Sequence, residues 1–243
     1  MRRTSARLLI IASAVLLLAG AAALALAGRG RDDRVGPRPE AQRPPLMLLT
    51  TLPLIFSEGF TLHEGGSKAL SAIEARYRVV PIATADAASL KQARLLLLAH
   101  PLAQPAETLV DLDRWVREGG RVLLLADPRL EWPSELPLGD KLRPPPAFAD
   151  TGLLAHWGLR LDAPDEAGPK QLQLGRKTIL AWSPGTVSGS CEIGEGGFVA
   201  RCRIGNGRAT VVADADFLNV DRLDGPKANN LDALLAELAA LER

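Results

Sequence analysis

Charge of one sign is scarce in this sequence: 29 lysines and arginines stand against 28 aspartates and glutamates in 243 residues, a formal net charge of +1. Aromatic residues are scarcer still, at 4%. Together these exclude the usual means of holding nucleic acid, a strongly basic face or a platform of exposed rings for stacked bases. Histidine occurs three times and cysteine twice. No pair among them has the close ligand spacing of a zinc or EF-hand motif. G-x-S-x-G is absent, and both cysteines, Cys191 and Cys202, lie away from any strand-to-helix elbow. The sequence therefore offers no nucleophile in the position that hydrolases and amidotransferases use. No internal repeat is present either.

What the chain has in plenty is aliphatic. Hydrophobic content of 47% with 23% charged residues excludes wholesale disorder and suits one domain of ordinary size or two small ones. Leu8 to Ala27, LLIIASAVLLLAGAAALALA, carries no charge, and as a helix it is long enough to cross about 30 Å of hydrocarbon. Arg2, Arg3 and Arg7 precede it, so the positive-inside rule keeps the N-terminus cytoplasmic and sends the remainder outward. The same stretch reads as a cleaved signal peptide, since Ala25-Leu26-Ala27 has the small-x-small form that signal peptidase accepts. Either way the remainder is exported. The organisation expected is an anchor or signal over 1–28, an extended linker over 29–45 rich in Gly, Pro and charge, and an exported domain over 46–243. That domain and linker carry about −2, too little for strong electrostatic steering.

Leu109 to Pro128 joins a helix, a stop signal and a strand. Leu109, Leu112 and Val116 recur at i, i+3 and i+7 with Asp111, Asp113, Arg114, Arg117 and Glu118 on the other face. Gly119 and Gly120 end the helix, and Val122 to Ala126 follow as an uninterrupted apolar run, the mark of a strand covered on both sides. Similar runs at 46–52, 77–82, 93–99 and 208–213, with helical segments between them, predict right-handed βαβ crossovers. The fold class expected is α/β: a doubly wound, mostly parallel sheet of glutamine amidotransferase-like or flavodoxin-like type, with an antiparallel hairpin edge, preceded by one N-terminal transmembrane helix. Pro133, Pro137, Pro144, Pro145 and Pro146 mark a long surface excursion after the fourth strand. From Leu159 to Ile204 the period shifts toward 2, which predicts antiparallel strands at one edge of the sheet. Leu231, Leu234, Leu235, Leu238 and Leu241 predict an amphipathic terminal helix capped by Asn229 or Asn230.

Gly196-Gly197 fits a two-residue type I′ turn, in which both positions need positive φ. That register sets Glu195 opposite Phe198 and Cys191 opposite Cys202, the only two cysteines of an exported chain. A disulfide between them follows, at the Cα spacing of about 5.5 Å that a hydrogen-bonded pair provides.

Polar residues collect at the expected carboxyl ends of the strands, where open α/β sheets bind their ligands. They are Glu58, His63, Glu64 and Ser67 after the first strand, His100 after the third, Asp127 after the fourth, and Asp214 and Asp216 after the last. Each also has an ordinary reading as a turn residue, and Ser67 as a helix N-cap behind Gly65-Gly66 rather than part of an anion cradle. No catalytic residue, metal site or cofactor is assigned.

The runs GGSKALSAIE, ARLLLLAHPLAQP, LDRWVREGGRVLLLADPRLEWPS, HWGLRLD and GRATVVADADFLNV with the terminal helix resemble the membrane-anchored auxiliary proteins of gliding-motility-type ABC transporter systems. They also resemble a related exported family of unknown function. The resemblance implies a domain like class I glutamine amidotransferases, found as well in an intraflagellar-transport subunit, and it implies no catalytic residue, because no cysteine matches the nucleophile. The function expected is a non-catalytic, membrane-tethered periplasmic binding module, with ABC permease or ATPase subunits as partners and no nucleic acid. Two alternatives stay open: an amidotransferase- or hydrolase-like enzyme using His63, His100 or Asp127 as acid or base, and a structural envelope protein recognising another chain.

Overall fold

In the computed structural model, residues 35–56, 66–221 and 229–243 are described. Residues 35–243 form one compact unit. The elements in chain order are β1 (Pro45–Thr50), α1 (Lys68–Glu74), β2 (Arg78–Pro81), β3 (Leu95–Ala99), α2 (Ala106–Arg117), β4 (Arg121–Leu125), α3 (Leu153–His156), β5 (Leu159–Asp162), β6 (Pro169–Leu174), β7 (Lys177–Trp182), β8 (Thr186–Gly189), β9 (Glu192–Ile193), β10 (Val199–Ile204), β11 (Gly207–Val212) and α4 (Asn230–Glu242). Among the described residues no helix is long and apolar enough to cross a membrane. The Leu8 to Ala27 run lies outside them.

The central sheet runs β2-β1-β3-β4-β11-β10-β9. β2, β1, β3, β4 and β11 are parallel, and β10 and β9 extend the edge in antiparallel steps. Leucine makes up most of β3 and β4, and alternate residues enter two separate cores. Leu95, Leu97, Leu123 and Leu125 face a core shared with α1, α4 and the β6–β7 hairpin. Leu96, Leu98, Val122 and Leu124 face one shared with α2, α3, β5 and β8. Burial on both faces is why these strands read as continuous apolar runs.

Two expectations need correction. The period-2 region does not add one block of strands to the sheet edge. Only β9 and β10 do so, while β5–β8 and β6–β7 form separate two-stranded ladders. Leu174, Ile179 and Ala181 bury the inner side of the β6–β7 hairpin in the α4 core, so α4 is covered on two sides and buries Ala233, Leu234, Leu235, Leu238 and Leu241. The second correction is at its N-terminus, where neither asparagine caps through its side chain. Asn230 is fully buried. Its amide accepts from Leu180 N–H at 2.9 Å and donates to the carbonyls of Leu180 and Phe217 at 2.8 Å each, tying β7 and the loop after β11 to the helix.

The β9–β10 turn is longer than type I′, because Glu195–Gly197 form a 3₁₀ turn and Gly194 N–H reaches Val199 O at 2.7 Å. Gly196 and Gly197 nonetheless have φ of +67° and +70°, and the register is as expected: Ile193 faces Ala200 and Glu192 faces Arg201. Cys191 and Cys202 are the next pair along. They form a disulfide with Cα atoms 4.9 Å apart.

At the other end of the unit, Glu242 in the last turn of α4 receives both Arg38 guanidinium nitrogens, at 3.2 and 2.6 Å, and the Tyr77 hydroxyl. Arg38 and Arg76 lie over the Tyr77 ring, 5.7 and 5.9 Å from its centroid. This cluster fastens the chain entering β1 to the C-terminus.

Candidate functional site

β4 and β11 are neighbours and parallel, so Asp127, two residues beyond β4, and Asp214 and Asp216, just beyond β11, emerge side by side at the carboxyl end of the sheet. All three are buried. Their carboxylates are met chiefly by backbone. Asp127 accepts from Ala215 N–H at 2.8 Å, Arg129 N–H at 2.9 Å and Asp216 N–H at 3.4 Å. Asp214 accepts from Phe217 N–H at 2.8 Å and Trp182 N–H at 3.2 Å. Asp216 accepts from Glu131 N–H at 2.7 Å. Each acid thus pins a loop other than its own, or the turn it opens.

Burial dominates the electrostatics, because a charge removed from water without a cation beside it is costly. It pushes Asp127 up to about 6 against its three backbone donors. It pushes Asp216 up to about 8, with Asp127 adding repulsion. Asp214, with Asp127 and Asp216 both nearby, is raised well above the usual carboxylate range. Asp216 therefore holds its proton at neutral pH.

Glu131, Trp182 and Ser183 complete the constellation. The Glu131 carboxylate accepts from the Ser183 hydroxyl at 2.8 Å, from Trp182 Nε1 at 2.7 Å and from Arg129 Nε at 3.0 Å. The Ser183 hydroxyl, with the Trp182 ring and Arg129 behind it, holds Glu131 below its ordinary value. Sequence reasoning passed over Glu131 and Ser183. Their one signal was position, Glu131 four residues after Asp127 and Ser183 in the turn W-S-P-G that ends β7.

His100 follows β3, the strand beside β4, but its ring engages the proline-rich loop. It is fully buried, its Nε2 sits 2.8 Å from the Pro145 carbonyl in the proline-rich loop, and Nδ1 has no partner among the described residues. Burial lowers its pKa, so the ring is neutral, with Nε2–H donating to Pro145. No hydrogen bond or ion pair joins it to Asp127, Asp214 or Asp216. His100 and Ser183, each before a proline, share a φ of +49°, a conformation that costs on the order of 1–3 kcal/mol and persists only where the surroundings impose it. His100 N–H on Leu125 O and Ser183 N–H on Gly168 O, at 3.0 and 2.8 Å, supply that constraint.

Ser67 caps α1, its Oγ accepting from Leu70 N–H at 3.1 Å. Glu58, His63 and Glu64 lie outside the described residues. Among those described, no group of three His, Cys, Asp or Glu side chains could hold a metal ion.

No protein-family model and no curated protein sequence matches the chain. Among solved structures, the mmIFT52 N-terminal domain superposes with a TM-score of 0.53 at 13% identity, over 82% of this chain and 97% of that one. The exo-β-1,4-mannosidase Op5Man5 from Opitutaceae bacterium strain TAV5 gives 0.47 at 13% identity, and this chain spans only 36% of its length. Cytoplasmic protein STM3548 from Salmonella typhimurium gives 0.49 at 9% identity, over 82% of this chain and 98% of that one. The likeness to the mmIFT52 domain is one of fold alone, and the other two carry no argument.

Proposed function

We propose that the chain is a non-catalytic, membrane-tethered interaction module of the bacterial periplasm, auxiliary to an ABC-type transport or envelope system, with a doubly wound domain of the glutamine amidotransferase-like type. The observation that carries the reading is the use of the strand-end acids. Asp127, Asp214 and Asp216 accept from six backbone N–H groups between them, and carboxyls so engaged fix loops in place rather than wait for a substrate. Acid–base chemistry would need a base in reach of a nucleophile. His100 instead spends Nε2 on Pro145. The disulfide supports export to an oxidising compartment, and the proline-rich loop Trp132 to Pro146, which leaves directly after Glu131, whose N–H Asp216 accepts, supplies the recognition surface.

The test is affinity capture of the full chain from detergent extracts of its native membrane. Recovery of ATP-binding and permease subunits, lost on deleting residues 132–146, is the expected result. A chain that recovers neither subunit would count against the transporter assignment. Recovery that survives the deletion would move the recognition surface elsewhere.

A further inference from the structure

The near-neutral total charge conceals an uneven distribution. At the carboxyl end of the sheet the acids Asp127, Asp214 and Asp216 are buried and Glu131 is engaged by Arg129, Trp182 and Ser183. The amino end carries Arg78 at the start of β2, Arg94 before β3, Arg121 at the start of β4 and Arg208 at the start of β11, with Arg203 paired opposite Arg208. Lys91 joins them across a groove of about 530 Å³ that it lines with Arg94, Arg121 and Pro45. Lys91, Arg78, Arg94 and Arg203 are exposed. Among the described residues no acid lies within ion-pair distance of these four or of Arg208. The acid that does line the groove, Glu242, is already held by Arg38 and Tyr77.

This is also the end at which the chain enters the domain, since β1 begins at Pro45 beside Arg78. Only residues 28–34 separate the apolar run ending at Ala27 from Val35. Fully extended, those eight steps span about 27 Å, so a tether embedded at Ala27 keeps the basic rim within reach of the headgroups.

From this charge distribution and tether length we infer that the amino-terminal rim of the sheet, centred on Lys91, Arg94 and Arg203, is a docking surface for anionic phospholipid headgroups. It rests on the proposed membrane tether. A basic side chain near an anionic surface contributes on the order of fivefold in partitioning, and several on one flat rim act together. Docking of this end turns the carboxyl end of the sheet and the Trp132 to Pro146 loop away from the lipid, toward a partner.

The experiment places the full chain in nanodiscs of phosphatidylcholine alone or with phosphatidylglycerol, and reads acetylation of individual lysines by mass spectrometry. Lys170, exposed on β6 at the opposite end, is the internal reference. Docking predicts that Lys91 is acetylated several-fold more slowly in the anionic discs, that the difference vanishes at 1 M salt where the Debye length is about 3 Å, and that Lys170 is unaffected. Arg94→Glu with Arg203→Glu, both at exposed positions, should restore the Lys91 rate while near-ultraviolet circular dichroism stays native. Equal Lys91 rates in both lipids, in a chain that has entered the discs, would overturn the docking surface and leave the tether standing. A chain that never enters the discs would overturn the tether, and the docking surface with it.

Discussion

Replacing Asp216 by Asn tests whether this strand-end acid is buried and protonated. In the folded domain Asp216 is pushed up to about 8 by burial, with repulsion from Asp127 added, whereas in the unfolded chain it returns to its ordinary value of 3.8. The folded state therefore holds a proton that the unfolded state has released between those values, and stability falls as pH rises through the window. It is fully present below pH 3.8, and the loss is complete above about 8. One proton of difference costs about 1.4 kcal/mol per pH unit, so this group alone removes roughly 3 kcal/mol between pH 5 and pH 7.5. Asparagine keeps an oxygen for Glu131 N–H but cannot ionise. Urea denaturation of residues 35–243 with the disulfide intact, at half-unit pH steps, should show the native domain weakening over this range and Asp216→Asn weakening less steeply by about one proton's worth of slope, with the remaining slope set by Asp127 and Asp214. A native domain whose stability is constant or rises from pH 5 to 7.5, or a variant with an unchanged slope, would refute the buried, protonated state.

Three further perturbations probe the fold. Asn230→Ala removes three buried hydrogen bonds and leaves Leu180 N–H and O unmet on β7, which should cost about 2–4 kcal/mol in chemical denaturation. Gly207→Ala places a Cβ far inside contact with the carbonyl oxygens of Val116 and Gly120, backbone atoms that cannot swing aside. It should lower the melting temperature well below that of Gly36→Ala, where a Cβ meets nothing. Removing the disulfide with Cys191→Ser and Cys202→Ser opens an 11-residue separation and should cost about 2–3 kcal/mol, with no change in the β10–β11 pairing seen by amide exchange.

The parallel part of the sheet was legible because its signals are local. Leu112 and Val116 follow the helical period and are buried, and the run at 122–126 has no polar interruption because helices cover both faces. The cysteine pair was legible through arithmetic, since the sum of paired residue numbers is fixed along an antiparallel ladder and a longer turn closed by Gly194 and Val199 preserves it. The grouping of β5 to β8 was not legible. A period of 2 announces a strand with one buried face and says nothing of which strand or helix lies against it, so QLQL and TILAW could be recognised as strands but not assigned to a hairpin over α4.

The acids show the same limit more sharply. That Asp127, Asp214 and Asp216 stand at strand ends follows from the pattern of the strands. Whether their oxygens face solvent or backbone depends on what arrives from elsewhere, Ala215 from 88 residues after Asp127 and Trp182 from 32 before Asp214. Glu131 and Ser183, 52 residues apart, became visible only once β7 and the loop after β4 were brought together. A strand-end carboxylate is a weak sign of a ligand site because folding needs the same group for another purpose: loops leaving neighbouring parallel strands expose N–H groups that no strand can pair, and a short acidic side chain there is the nearest acceptor. What separates the two uses is the count of backbone donors on each oxygen, and here that count favours the loops.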